Sequence, residues 1–134
     1  MEQTLVLIKP DAVERNLIGE IVSTYEKNGL KVGKLKMLKA SRELAEEHYI
    51  EHNSKEYYKE LIDYITGGPL VAMVLYGEDA IKKVRKLNGK ANPADSEVDT
   101  IRAKMGIDAT RNSTHGSDSF ASAEREINIW FSGE

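Results

Sequence analysis

Between Asn112 and Ser119 the chain reads NSTHGSDS, a histidine set among an amide, a glycine, hydroxyls and a carboxylate. A neutral imidazole nitrogen is a competent nucleophile when a partner fixes the other ring nitrogen, and Glu126 is one candidate partner. Asn112 carries an amide able to touch hydroxyl groups, and Gly116 removes side-chain bulk beside the ring. Ser117, Asp118 and Ser119 are N-cap candidates for a following helix. The same residues also suit a turn, a cap or a metal ligand, and taken alone they do not choose among these.

Cations stand at four further places: Lys9 at the end of an apolar run, Arg85, Arg102, and Arg111 just before the histidine segment. Arginine offers a planar fork of donors that matches phosphate oxygens, and lysine a mobile point charge. No G-x-x-x-x-G-K-[ST] loop, G-x-G-x-x-G fingerprint or protein-kinase signature accompanies them. His48 and His52 have a chelating spacing, but no third ligand is evident, so they are read as residues of a polar amphipathic helix.

The elements that must hold these groups alternate in type. Thr4 to Lys9 is a nearly continuous apolar run stopped by Pro10, as in a central strand covered on both faces. Leu17, Ile18, Ile21, Val22 and Tyr25 recur at helical spacing up to Gly29. From Leu30 to Leu38 the apolar alternation changes parity, which predicts a strand with a bulge near Gly33. Ser41 and Ser54 precede helix-like stretches, and TGGP punctuates the chain before a third strand, Leu70 to Tyr76. Ala80, Ile81, Val84 and Leu87 trace a helix closed by Asn88 and Gly89. Residues 89–112 show little periodicity and read as a long functional loop. A last strand is expected around Arg111 to His115, and a last helix through Phe120, Ala123, Ile127 and Trp130. The order βαββαβ with extra helices predicts an α+β, ferredoxin-like sandwich with an antiparallel four-stranded sheet.

The 134 residues suit one domain, 1–134, with 40% hydrophobic and 31% charged residues and a net charge of -3. That charge argues against a dedicated nucleic-acid binder. Without cysteine, thiolate metal sites and cysteine nucleophiles are excluded. No apolar run is long enough for a membrane span. The N-terminus reads as a first strand and not as a signal peptide, so a cytoplasmic location is expected.

The segments LVLIKPDAV, NPADS, TIR and RNSTHGSDS, followed by SAEREINIWF, resemble the nucleoside diphosphate kinase family in one register from Thr4 to Phe131. The resemblance implies that His115 takes the γ-phosphoryl group of a nucleoside triphosphate, chiefly ATP, through Nδ1. It would then pass the group to a ribo- or deoxyribonucleoside diphosphate in a ping-pong cycle. Glu126 and Ser117 would orient the ring. Tyr49, Arg85 and Arg102 fall on phosphate-binding positions, Lys9 and Asn112 on ribose-binding ones with Lys9 also reaching phosphate, and Tyr57 where a ring stacks on the base. Mg²⁺ would bridge substrate phosphate oxygens with water completing its shell, and a homo-oligomer, hexamer or tetramer, is implied. Three positions depart from the family pattern: Ala91 replaces a common threonine, Lys55 a common arginine, and SEVDTIR a Pro-Gly turn before TIR. Fold alone would equally serve a non-catalytic nucleotide- or nucleic-acid-binding module.

Overall fold

Strand β1, Glu2–Ile8, is the centre around which the sheet is assembled. The computed structural model, which describes residues 1–133, pairs it antiparallel with β3 (Leu70–Gly77) on one side and with the short β4 (Thr114–Gly116) on the other. The remaining strand, β2 (Lys31–Leu38), lies outside β3, giving the order β2-β3-β1-β4. This is the expected ferredoxin-like sheet. Its register shifts between Val32 and Lys34, where the change of parity placed a bulge.

Among the described residues seven α-helices cover the two faces: α1 (Pro10–Glu14), α2 (Ile18–Lys27), α3 (Arg42–His48), α4 (Tyr58–Ile65), α5 (Ala80–Asn88), α6 (Ile101–Met105) and α7 (Phe120–Trp130). Strands covered on both faces need apolar residues at every position, and β1 from Leu5 to Ile8 and β3 from Leu70 to Leu75 provide them. Leu5, Leu7, Leu70, Ala72 and Val74 pack with Ala45, Ile62, Ile65 and Trp130 on one face. Val6, Ile8, Val71, Met73 and Leu75 pack with Ile21, Tyr25, Val84 and Ile101 on the other. The edge strand β2 leaves Leu35 and Met37 half exposed.

Local chemistry sets several boundaries. Ser41, Thr100 and Ser119 each accept a backbone N–H with the side-chain oxygen, capping α3, α6 and α7. Such caps contribute about 1 kcal/mol each. Gly29 follows α2 with φ +86°, a conformation that costs glycine no Cβ clash.

Three expectations need correction. Residues 89–112 are not one irregular loop: they contain a 3₁₀ turn, Pro93–Asp95, and helix α6. His48 and His52 do not share a helix, because α3 ends at His48 and His52 closes a separate 3₁₀ turn, Ile50–His52. The last strand begins at Thr114 and not near Arg111, since Ser113 has φ +75° and breaks the extended course.

Candidate active site

The register of β4 decides where its side chains go. His115 lies opposite Leu7, with Thr114 and Gly116 opposite Ile8 and Val6. Alternation therefore sends His115 and Ser117 to the face covered by α7 and sends Gly116 toward α5. A Cβ on Gly116 would lie 2.7 Å from Val84 Cγ1, so only glycine lets α5 approach this strand.

Helix α7 brings Glu126 under the histidine. One carboxylate oxygen, Oε1, lies 2.7 Å from His115 Nε2 and accepts the Ser117 hydroxyl at 2.8 Å. Ser117 Oγ also accepts the Leu5 N–H at 3.3 Å, which ties the group to β1. Glu126 and Ser117 are buried, whereas His115 reaches the wall of an open cleft of about 670 Å³. An ionised carboxylate only accepts, so in the neutral ring Nε2 carries the proton and Nδ1 keeps its lone pair.

His48 stands behind that ring, edge to face, with centroids 4.6 Å apart. Trp130 Nε1 donates to His48 Nδ1 at 2.9 Å. Indole is a donor only, so neutral His48 carries its proton on Nε2. Burial, followed by the nearby His115, pushes the His48 pKa well below the usual imidazole value. His48, His115 and Glu126 bring potential ligand atoms within 4.8 Å of one another. With the His48 Nδ1 lone pair taken by Trp130 and the His115 Nε2–H by Glu126, they form a hydrogen-bonded assembly rather than an open metal cage.

The opposite wall is cationic. Arg85 and Arg102 both line the cleft. Burial lowers the Arg102 pKa, and neighbouring Arg85 lowers it further. Arg102 donates through Nη1 to Gly89 O at 2.9 Å and through Nη2 to Thr114 O at 2.8 Å. Its Nε and the Tyr49 hydroxyl are buried without a hydrogen-bond partner. Thr4 Oγ1 and Thr114 Oγ1 are enclosed in the same way, so the anion-binding character of the cleft rests on the Arg85 and Arg102 guanidinium groups that line it.

Lys9 and Asn112 meet beside this cleft. Lys9 Nζ donates to Asn112 Oδ1 at 2.9 Å, and Asn112 Nδ2 donates to the carbonyl of Ala91, a cleft residue, at 2.9 Å. Burial, helped by the Arg102 charge, lowers the Lys9 pKa to about 7. Tyr57 stands further out, 45% exposed, with its hydroxyl 2.9 Å from Nδ1 of the cleft residue His52. Arg111 does not join: it pairs with Asp108 at 2.5 Å on the surface, away from the cleft. Two participants were missed by sequence reasoning. By sequence Asp118 is a possible cap, but Ser119 caps α7 and Asp118 lines the cleft. His48 reads as part of a polar helix, and only the Trp130 stripe hints at an apolar neighbour.

The family model for nucleoside diphosphate kinase matches residues 2–134. The chain belongs to the nucleoside diphosphate kinase family. The kinase is 54% identical over 131 residues to a nucleoside diphosphate kinase of Clostridium perfringens, covering 98% of this chain and 92% of that one. It is 52% identical over 134 residues to one of Archaeoglobus fulgidus, covering 100% and 89%. The crystal structure of the Aquifex aeolicus nucleoside diphosphate kinase superimposes with a TM-score of 0.95 at 39% identity, covering 98% of this chain and 96% of that one. The kinase is thus a phosphotransferase enzyme with the nucleoside diphosphate kinase fold. Among the described residues no helix is long and apolar enough to cross a membrane.

Proposed function

We propose that His115 carries the phosphoryl group between the two half-reactions of this nucleoside diphosphate kinase. The observation that carries the reading is the single Glu126 oxygen that faces both His115 Nε2 and the Ser117 hydroxyl, leaving the Nδ1 lone pair on a residue that lines the cleft. In the first half-reaction Nδ1 attacks the γ-phosphorus of a nucleoside triphosphate, chiefly ATP. The N–P bond forms as the bond to the β–γ bridging oxygen breaks, and the diphosphate departs. The imidazole gains positive charge as this happens, and the buried Glu126 carboxylate offsets it. A ribo- or deoxyribonucleoside diphosphate then takes the group by the reverse path.

The remaining roles follow from charge and reach. Arg85, Arg102 and Tyr49 hold phosphate oxygens; the position of all three on the lining of the cleft that His115 faces supports this. Lys9 and Asn112 take the ribose hydroxyls, with Lys9 also within reach of phosphate. Tyr57, at the mouth, stacks on the base through a π-face that discriminates little among bases. Phosphoryl transfer asks chiefly for alignment and for positive charge where oxygens become more negative.

Mg²⁺ enters this reading with the nucleotide. A hard cation prefers oxygen ligands and retains water, so the histidine-containing group around His115 does not suit it. Substrate phosphate oxygens and water would hold the ion, and Asp118, which lines the cleft, would supply a nearby negative charge. The Ser122 hydroxyl beside Asp118 holds its carboxyl below the usual range, so it is ionised at neutral pH. When bound, the metal supplies charge neutralisation between phosphate oxygens.

The reading extends to one catalytic domain over 1–134, a cytoplasmic location, and a homo-oligomer, hexamer or tetramer. The exposed Leu35 and Met37 on edge strand β2 support a covered face. Initial-rate plots at several fixed diphosphate concentrations test the covalent intermediate: parallel lines are expected, and intersecting lines would mean direct transfer between nucleotides.

A further inference from the structure

Immediately before β4 the backbone does something serine seldom does. Ser113 is fully buried, has φ +75°, and the N–H of Thr114 donates to the carbonyl of Asn112 across it at 2.9 Å. A bond from residue i+2 to residue i around a central φ near +75° is the γ-turn of the strained hand, a rare conformation. For a residue with a Cβ this region is disfavoured, and such outliers persist only where the surroundings over-determine them.

What over-determines Ser113 is a buried carboxylate on α1. Asp11 Oδ1 accepts the Ser113 N–H at 3.3 Å, and Asp11 Oδ2 accepts the Ser113 hydroxyl at 3.1 Å. Asp11 is itself held on two further sides. Arg15 Nη2 donates to its Oδ2 at 2.9 Å, the Tyr64 hydroxyl from α4 donates to its Oδ1, and the same hydroxyl accepts the Asp11 N–H at 3.0 Å. The Lys9 N–H closes the junction by donating to Ser113 O at 2.8 Å.

The turn stands between the two ends of the site. Asn112, on one side, is bonded to Lys9; His115, on the other, begins two residues later on β4. We propose that Asp11 is a positioning residue for phosphoryl transfer: it holds Ser113 in the left-handed turn and thereby fixes the direction in which His115 meets the γ-phosphorus. Asp11 does not touch substrate in this account. It acts through the backbone, and the inference rests on the assignment of His115 as the phosphoryl carrier.

Glycine adopts φ +75° without a Cβ penalty, so a glycine at 113 no longer needs the clamp. This separates positioning from general stabilisation. The experiment measures single-turnover labelling by γ-labelled ATP and Mg²⁺ in the full chain. It compares wild type, Asp11→Asn, Tyr64→Phe, Ser113→Gly and the Asp11→Asn/Ser113→Gly double variant. Circular dichroism gives the folded fraction, and peptide mapping locates the label. Asp11→Asn is expected to slow labelling on the order of 100-fold, the effect of a small misplacement of a reacting group. Tyr64→Phe should slow it less, and the double variant should recover the greater part of the Asp11→Asn loss. A folded Asp11→Asn protein labelled at the wild-type rate, or a double variant no faster than Asp11→Asn alone, overturns the proposal. If Asp11→Asn does not fold, Tyr64→Phe with and without Ser113→Gly decides by the same criterion. Label mapping in wild type to a peptide without His115 would instead remove the underlying assignment.

Discussion

The two walls of the cleft are held by different means. On the histidine wall side chains end on side chains: His115 and Ser117 on Glu126, and Trp130 on His48, all on or beside β4, α3 and α7. On the loop wall, built by α6 and the residues before it, Arg102 ends on two backbone carbonyls, and its Nε has no hydrogen-bond partner among the described residues. On the proposed reading the first wall sets the direction of attack, and the second, where the phosphates would lie, governs affinity. Changes on the histidine wall should therefore lower the rate of transfer, and changes on the other wall should chiefly alter binding.

Among changes on the histidine wall that keep His115, the largest effect is expected from Glu126→Gln, which keeps the shape but removes the charge that offsets the imidazolium. The rate of transfer should fall on the order of 100-fold, with nucleotide affinity little changed. Stopped-flow transfer kinetics and calorimetry, run together, would break the contrast between the walls if affinity fell instead of rate.

Lys9 sharpens the contrast through pH. Its pKa in the folded protein is lowered to about 7, so the folded state binds fewer protons than the unfolded one between there and the ordinary lysine range. By linkage, Lys9 destabilises the fold fully below about pH 7, and stability is regained as pH rises above that. Lys9→Met should thus raise the melting temperature most below pH 7, with the gain shrinking toward pH 10. The same variant should weaken nucleotide binding most at low pH, where Lys9 is charged. A pH-independent gap in either quantity would contradict the burial argument.

The smallest effect is expected at Ala91. Its carbonyl is anchored by Asn112 Nδ2 at 2.9 Å and the residue lines the cleft. Ala91→Thr should therefore present a hydroxyl to the phosphates and tighten ADP–Mg²⁺ binding on the order of tenfold, the worth of one charge-assisted hydrogen bond. Unchanged affinity by titration calorimetry would mean that residues 91–102 follow another course when nucleotide is bound.

The histidine wall was the more legible of the two, for a physical reason. The periodicities that build it run over whole elements: the continuous apolar β1, the Ser119 cap, and the stripe Ala123, Ile127, Trp130 along α7. Glycine also marked its backbone, at Gly116 between His115 and Ser117. The loop wall gave weaker signals because its elements are short. Helix α6 has five residues, too few for a visible period, although the Thr100 cap and the buried pair Ile101 and Met105 were there to read. Ser113 gave no sign of its positive φ, since serine tolerates ordinary turns as well and the clamp comes from distant Asp11 and Tyr64. His48 likewise acquired its role only through Trp130 on another helix. The site residues carried by the family resemblance converge on one cleft apart from Tyr57 at its mouth and the buried Ser117, Lys9 and Asn112 beside it. Arg111, suggested by charge alone, lies elsewhere.

The most direct test of the account is the chemical location of the transferred group. Wild-type protein incubated with γ-labelled ATP and Mg²⁺, digested and mapped, should carry one acid-labile, base-stable phosphoryl group on the peptide containing His115. His115→Ala should remain unlabelled and transfer nothing to a diphosphate, while His52→Ala should label normally. A labelled His115→Ala protein, or a label stable to acid on any other residue, would contradict the assignment.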